Sequence, residues 1–561
     1  MSDSLSHSAP EPLSNAEIAD RLASLAQLLS TQKENTYKVR AYQRAAAQIR
    51  NIPDSIEMLV RTGADITRYA GIGKGIASAI GEIVQTGTLS RLAELRSSVK
   101  PEVADMSAYP RLDPARVLRI YKKLRISSIP ELRDALETGA IDAAVGPRLA
   151  QHVRQGLTEA HALLLYRADP LTAALRHYLL GPCRVQRAEL AGECRRRVEV
   201  VEEIAFVVET ADFPALTAQM QRYGGRTPLV SNTADEAMFA LSAGVTLRIH
   251  RATAEHWGLA WIRCTGSKAH LRKLKPPKSG TFATEAAVYE SCGVQYIEPE
   301  LREGQDEIEL AREHRLPTLV TKADIRGDLH AHTTASDGSD TIEDMAEAAR
   351  DRGYSYLGIT DHSQSLKIAS GLTEDELRAQ IRHIDRLNSR LRKFRILKSA
   401  EVDILADGSL DYPDDLLKEL DYTVCSIHSR FALNKREQTE RLLRAMDNPY
   451  FTILGHATGR LLLKRPGYEI DVERVVEHAR AMGRFFEINS SPDRLDLSAE
   501  NARLAAAAGV KIAISTDSHS TGEFDLIRCG LDQARRAGLD RASVLNCLPL
   551  DELLATFRIG R

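Results

Sequence analysis

The sequence predicts a multidomain α/β chain: an all-α N-terminal region, a mixed α/β middle and a C-terminal half of alternating strands and helices. Its 561 residues leave room for about four domains at roughly 150 residues each. From Ser14 to about Glu94 apolar residues recur every three or four positions, as in NAEIADRLASLAQLLS. Beyond residue 323 short apolar runs alternate with amphipathic helical patterns, the grammar of a βα-repeat barrel or a doubly wound sheet.

Composition narrows the function classes. Charged residues make up 27% and hydrophobic ones 43%, ordinary for a globular chain, and a net charge of −2 excludes a uniformly basic nucleic-acid coat. Any DNA contact must use local patches. The seven cysteines form no C-x-x-C pair, which argues against cysteine-held zinc or redox chemistry and fits a reducing cytoplasm. The opening MSDSLSHSAPEPLSNAEIA has neither a charged n-region nor an apolar h-region, and no run approaches the roughly 20 apolar residues of a membrane span. Residues 1–13 are expected to be a disordered lead, no membrane partner is expected, and the sequence does not reveal an obligate protein partner.

The elements follow in order. The first helical unit spans 14–94 and includes YKVRAYQRAAAQIRNI, where basic residues interleave the apolar ones. A second helical stretch, 95–166, runs through ARVLRIYKKL and SIPELRDALETG. Strand-like runs VEEIAFVVET and VTLRIHR bring in the α/β middle, 167–302. Residues 303–323 turn acidic and then apolar and are expected to be a linker. From 324 onward the strands are YSYLGIT, FRILKSA, YTVCSI, YFTILG, RFFEIN and KIAIST.

Metal-ligand residues recur where those strands end. The stretch RGDLHAHTTASDG holds Asp328, His330, His332 and Asp337. Asp361 and His362 follow YLGIT, Glu401 follows ILKSA, His428 follows VCSI, His456 follows ILG, and Asp517 and His519 follow AIST. In a parallel barrel the C-terminal strand ends gather on one rim, so residues distant in sequence converge there. Any single one suits an ordinary surface loop; repetition at six strand ends favours a site. His330 and His332 lie two apart on an extended segment, so both imidazoles face one side. His383 and His478 sit mid-helix and are assigned to helix surface. Mixed imidazole and carboxylate donors suit zinc, manganese or iron better than calcium or magnesium alone, and nine donors exceed the needs of one ion. Two or three divalent ions are expected, manganese or zinc foremost, magnesium or iron next.

The motifs DLHAHTTASDG, GITDHS, SAEVDILADGSLDY, SIHSRF, LGHATGR and STDSHS resemble those of the PHP (polymerase and histidinol phosphatase) family. The resemblance implies a distorted (β/α)7 barrel over about 324–561 with a trinuclear site for phosphoester hydrolysis. It assigns one ion to His330, His332, Glu401 and Asp517, a second to Glu401, His428 and His456, and a third to Asp337, His362 and His519. Glu401 would bridge, and Glu401, Asp517 and Arg460 would be the catalytic residues. Arg460, Lys367 and Arg430 stand beside ligand positions, either as clamps for substrate phosphate or as solvated surface charge.

The N-terminal half narrows the substrate. YAGIGKGIASAI places Gly71, Gly73, Lys74 and Gly75 in a tight turn opening a helix, where bare N–H groups can approach a phosphate. Alone, the motif also suits a plain helix–helix connection. Together with AYQRAAAQIRNIPDSI, TGSKAHLRKL, YIEPELREG and the join to a PHP barrel, nearly the whole chain resembles bacterial X-family DNA polymerases, which are DNA polymerase beta-like. That resemblance implies a helix-hairpin-helix DNA-binding domain over 14–94, a fingers-like helical domain over 95–166, and palm and thumb over 167–302. DNA is the expected partner, as gapped, nicked or 3'-ended duplex, with Lys268, Arg272 and Lys273 on its phosphates.

The palm departs from the family pattern. Glu193 stands in place of a serine, Glu203 and Ala205 in place of the first two catalytic aspartates and Thr246 in place of the third. Phosphoryl transfer to a growing strand needs carboxylates to hold two ions, which Ala205 and Thr246 cannot do. Asp113 in YPRLDPARV replaces a hairpin glycine, and Ala79 stands where a lyase lysine is expected. Of the neighbouring acids, Glu202 faces away from Glu203, and Glu199 and Glu209 lie well along the strand. The leading expectation is a 3'-5' exonuclease or 3'-phosphatase whose polymerase site is degenerate. The competing readings are an active gap-filling polymerase with a PHP exonuclease, a small-molecule phosphatase, or a DNA-end scaffold.

Overall fold

The computed structural model describes residues 13–558, apart from 33–34, 107–108, 110–111, 147–148, 151–152, 155–156, 158–161 and 242–243. All but the last residue of the expected disordered lead, and part of the second hairpin, therefore lie outside the described residues. The chain forms two compact units. One ends at Ser267 and resumes over Lys275–Cys292; the other comprises Lys268–Leu274 and the chain from Gly293 onward.

In the first unit, helix α1 (Asn15–Thr31) starts at Ser14. The Ser14 hydroxyl accepts the Glu17 N–H while the Glu17 carboxylate accepts the Ser14 N–H, a capping box. Ile18, Leu22, Leu25 and Leu29 fall on one stripe and are buried. They share an apolar core with Val39, Ala46 and Ile49 of α2 (Thr36–Ile49) and Ile76, Ile80 and Ile83 of α3 (Lys74–Thr86). Val117, Ile120 and Leu132 belong to the same core, so the boundary expected at 94/95 does not separate two cores. The α/β middle is a five-stranded sheet of β1 (Arg187–Ala191), β2 (Glu203–Glu209), β3 (Leu229–Asn232), β4 (Glu236–Ala240) and β5 (Thr246–Arg251). Its order is β1-β2-β5-β4-β3, with β2 parallel to β5 and the other pairs antiparallel.

In the second unit the segment 303–323 is packed rather than a free linker. Ile308, Ala311, Leu319 and Val320 are buried, and Val320 N–H donates to the Leu539 carbonyl at 2.9 Å. Glu300 and Glu303 pair with Arg535 and Arg536 at 2.7 and 2.9 Å. Its apolar residues find a surface to cover, which composition alone does not reveal.

The strands of the C-terminal half are β6 (Gly327–Asp328), β7 (Tyr356–Ile359), β8 (Arg395–Lys398), β9 (Glu401–Asp403), β10 (Val424–Ser426), β11 (Ile453–Leu454), β12 (Phe485–Asn489) and β13 (Ile512–Ser515). They form two parallel sheets, β8-β7-β6 and β9-β10-β11-β12-β13. Parallel bridges His362↔Glu401 and Ala331↔Ser518 join the sheets at both edges. Since β8 and β9 are one run interrupted at residues 399–400, the described residues form a distorted (β/α)7 barrel, and the doubly wound alternative falls. Leu329, Tyr356, Leu397, Tyr422, Val424, Ile453 and Phe485 fill one end of the interior, and Leu553 and Phe557 of α4 (Leu550–Phe557) plug it. Each such buried side chain contributes about 2 kcal/mol. Gly358 is required in β7 because a Cβ there would come within 1.8 Å of the Tyr422 hydroxyl. No helix among the described residues is long and apolar enough to cross a membrane.

Candidate functional site

The strand ends bring all nine expected donors into one cluster. His330 Nε2 lies 3.5 Å from both Glu401 Oε2 and Asp517 Oδ1, and His332 Nε2 lies 3.0 Å from Asp517 Oδ1. Glu401 is central: His362 Nδ1 is 2.7 Å from Oε2, while His456 Nε2 and His428 Nε2 are 3.0 and 3.3 Å from Oε1. Asp337 Oδ1 reaches His519 Nε2 at 3.3 Å and His362 Nε2 at 3.5 Å. Gly338 lets this loop fold back, since a Cβ there would lie 2.8 Å from the His332 carbonyl. Three sets have ligand atoms within 4.8 Å of one another: His332, Asp337, His362 and His519; His330, His332 and Asp517; His362, Glu401 and His428. His332 and His362 each belong to two sets.

The donor chemistry fits divalent cations. His330 Nε2, both ring nitrogens of His332, His362 Nδ1, His456 Nδ1 and Glu401 Oε2 are buried without hydrogen bonds among the described residues. His362 Nδ1 and Glu401 Oε2 approach to 2.7 Å without hydrogen-bond geometry. Such orphaned atoms are costly unless a cation satisfies them.

Electrostatics agree. Burial disfavours the charged forms, but Glu401 and Asp337 raise His362 to about 10, Glu401 and Asp403 raise His428 to about 9, and Asp337 and Asp517 raise His519 to about 9. Although burial works against it, the surrounding histidines hold Glu401 and Asp517 well below the usual carboxylate range. In the metal-free chain those three histidine protons occupy places suited to cations. Their stabilisation is fully present below the ordinary histidine value of 6.5 and is lost as pH rises through 9 to 10. The melting temperature of chelator-treated protein should therefore fall from neutral pH to pH ~10 more than that of metal-loaded protein, whose ligands are already deprotonated. Parallel curves from scanning fluorimetry would contradict this.

Other carboxylates hold the donor segments. Asp403 accepts Nδ1–H of His428 at 2.5 Å, leaving Nε2 toward Glu401. Asp361 accepts from Thr333 N, Thr333 Oγ1, Ser336 Oγ and Gln380 Nε2, pinning the loop that carries Asp337. Asp328 accepts from His330 N, Thr516 N and Thr516 Oγ1, and burial pushes it up to about 6. The signal for Asp403 was its place two residues after Glu401, on the same strand face.

Arg494 was missed by sequence reasoning. Its half-buried guanidinium lies 4.0 Å from Asp517. The Arg460 guanidinium donates to the carbonyls of Arg494 and Leu495, supporting that loop. Lys367 and Arg430 are exposed on loops that follow β7 and β10. His383 and His478 pair with Glu343 and Asp447 on helix surfaces.

In the first unit Gly71, Gly73, Lys74 and Gly75 are exposed. Gly71 has φ +82°, and Gly73 is the N-cap of α3 with no side-chain cap hydrogen bond. Lys268, Arg272 and Lys273 are exposed on the helix Lys268–Leu274 of the second unit. Lys273 is partly engaged there by the Gln305 carbonyl and Glu309.

The palm positions are occupied by the protein's own groups. Glu203 pairs with Thr246 and Ala205 with Arg248 across the parallel strands. The Arg248 guanidinium lies 2.8 Å from Glu203 and 2.6 Å from Glu236, so the remaining acid is neutralised by an internal cation. Glu193 accepts the backbone N–H groups of Glu202 and Glu203 at 2.7 and 3.1 Å. Ala205 is buried in a small apolar cluster with Ala191, Val207 and Trp257.

A helix-hairpin-helix domain model matches residues 13–89, and a PHP domain model matches residues 328–491. The chain is similar to a DNA polymerase/3'-5' exonuclease PolX of Bacillus subtilis (strain 168), at 31% identity over 96% of this chain and 98% of the relative. It is also similar to a probable phosphatase of Thermoanaerobacter sp. (strain X514), 31% identical over 39% of this chain and 89% of that protein. A probable phosphatase of Acetivibrio thermocellus is 31% identical over 36% of this chain and 83% of its own length.

Proposed function

This chain belongs to the family of bacterial X-family DNA polymerases that carry a C-terminal PHP domain, and we propose that it hydrolyses phosphoesters at DNA 3' ends while templated synthesis is lost. It acts as a 3'-5' exonuclease and 3'-phosphatase in DNA repair, in the cytoplasm. The observation that carries this reading is the contrast between nine converging donors at the barrel rim, His456 joining the other eight through Glu401, and a palm acid tied to Arg248.

His330, His332 and Asp517 would hold one divalent ion, with Glu401, His428, His362, Asp337, His519 and His456 holding its neighbours; manganese or zinc suits the set best. When bound, such ions lower the pKa of water toward neutrality and neutralise phosphate oxygens. The chain's own residues orient and bind. Asp403 fixes the His428 ring, Asp361 fixes the loop of Asp337, and Arg494 offers donors to a phosphate beside Asp517. The hairpin at Gly71–Gly75 holds the backbone of gapped, nicked or 3'-ended duplex without reading bases.

Digestion of strands labelled at either end, with primer extension in parallel, tests the reading. Shortening from the 3' end with added manganese supports it; extension without degradation favours a polymerase. Arg494→Ala should raise KM for DNA about tenfold or more, the scale of one hydrogen bond to a charged group, with a smaller effect on kcat. An unchanged KM removes Arg494 from the phosphate site. A Cβ added at Gly73 meets nothing within 4 Å, so the hairpin should keep its fold in Gly73→Leu. Binding to nicked duplex should weaken in a fluorescence-anisotropy titration, with hydrolysis of a small chromogenic phosphodiester unaffected. Equal losses on both substrates would argue against separate roles.

A further inference from the structure

Strand β12 (Phe485–Asn489) supplies none of the nine donors, yet its two polar inward residues, Glu487 and Asn489, are completely buried. Two apart on a strand, they share a face. Glu487 Oε1 accepts Nδ1–H of His330 at 2.6 Å, and Oε2 accepts the backbone N–H of His456 at 2.8 Å. Asn489 Nδ2 donates to Asp517 Oδ2 at 3.0 Å and lies 3.4 Å from Glu487 Oε2. One strand thus bonds to donors carried by the segments after β6, β11 and β13. A buried carboxylate is retained only where hydrogen bonds satisfy it, and two of these partners are themselves ligand-bearing residues.

We infer that Glu487 and Asn489 are positioning residues that couple the ion positions, Glu487 by linking His330 to His456 and Asn489 by linking Asp517 to both. With Nδ1–H committed to Glu487, His330 presents Nε2 to Glu401 and Asp517, each 3.5 Å away. The same carboxylate sets the backbone of His456, whose Nε2 is 3.0 Å from Glu401. A shift at one donor is therefore passed to the other through a single rigid group. The inference rests on the reading that the cluster holds divalent ions and adds which residues make their binding interdependent.

In Glu487→Gln the amide can accept from only one of the two N–H groups and turns a donor on the other. Manganese titration of the full chain, followed by calorimetry, should show an affinity loss of about 10–100-fold, the usual effect of removing a group that orients a ligand. Cobalt absorption should shift, because the imidazole geometry around the ion changes, while circular dichroism of the metal-free protein stays that of the wild type. Asn489→Leu, which keeps Glu487, should weaken manganese binding less and carries the test if Glu487→Gln does not fold. Wild-type manganese affinity and cobalt spectra in both variants overturn the coupling. Absence of manganese uptake by the unaltered protein would instead sink the reading of the centre itself.

Discussion

Replacing His332 or Asp517 by alanine should abolish metal-dependent cleavage of DNA, with a loss of about a thousandfold or more, the scale on which one preorganised electrostatic group acts. His332 belongs to two donor sets at once, and Asp517 lies within 3.5 Å of both His330 and His332. The first change therefore disturbs two donor sets, and the second removes the carboxylate of the set formed with His330 and His332. The barrel should survive, because its large apolar core and the interior plug around Tyr422, Phe485 and Phe557 are built from other residues. Removing His332 also relieves burial of an unsatisfied imidazole in the metal-free state. The check is a labelled-strand digestion beside a thermal melt. Cleavage at the wild-type rate by a folded variant would show that hydrolysis resides elsewhere.

Templated nucleotide addition should be absent with either magnesium or manganese, and restoring aspartate at Glu203, Ala205 and Thr246 should not recover it. The reason lies in what surrounds those positions. Arg248 sits between Glu203 and Glu236, so carboxylates placed there meet a guanidinium before they meet a metal ion. Ala205 is 2% exposed and packs against Trp257 and Val207, so an aspartate there costs about 3 kcal/mol or more through burial of charge. Glu193 meanwhile consumes two backbone N–H groups beside Glu203. A fill-in assay in the His332→Ala background, which should not degrade its own product, decides the matter. Template-dependent extension by the unaltered palm would show that synthesis persists.

Much of the barrel was legible because its signals are local. A short apolar run followed at once by histidine or acid marks a strand and the group at its end, and the six runs from YSYLGIT to KIAIST match β7, β8 and β10 to β13. The losses at Ala205 and Thr246 were equally readable, since a missing carboxylate is a property of one residue. What escaped was pairing between distant segments. Glu236 was not weighed among the acids near Glu203, because it comes from β4 and reaches the site through Arg248. Residues 303–323 looked like a linker because the surface that buries Leu319 and Val320 is built from residues beyond 530.

By itself, then, the sequence determined the donor inventory, the βα rhythm that gathers those donors on one rim, and the lack of a carboxylate at Ala205 and Thr246. Tertiary structure alone decided that His332 and His362 are shared between sets, that Arg494 lies beside Asp517, and that Glu487 holds His330 from 157 residues away. Strand periodicity fixes which face a residue takes, but neighbours across strands depend on register and closure. These are set by the packing of the whole barrel.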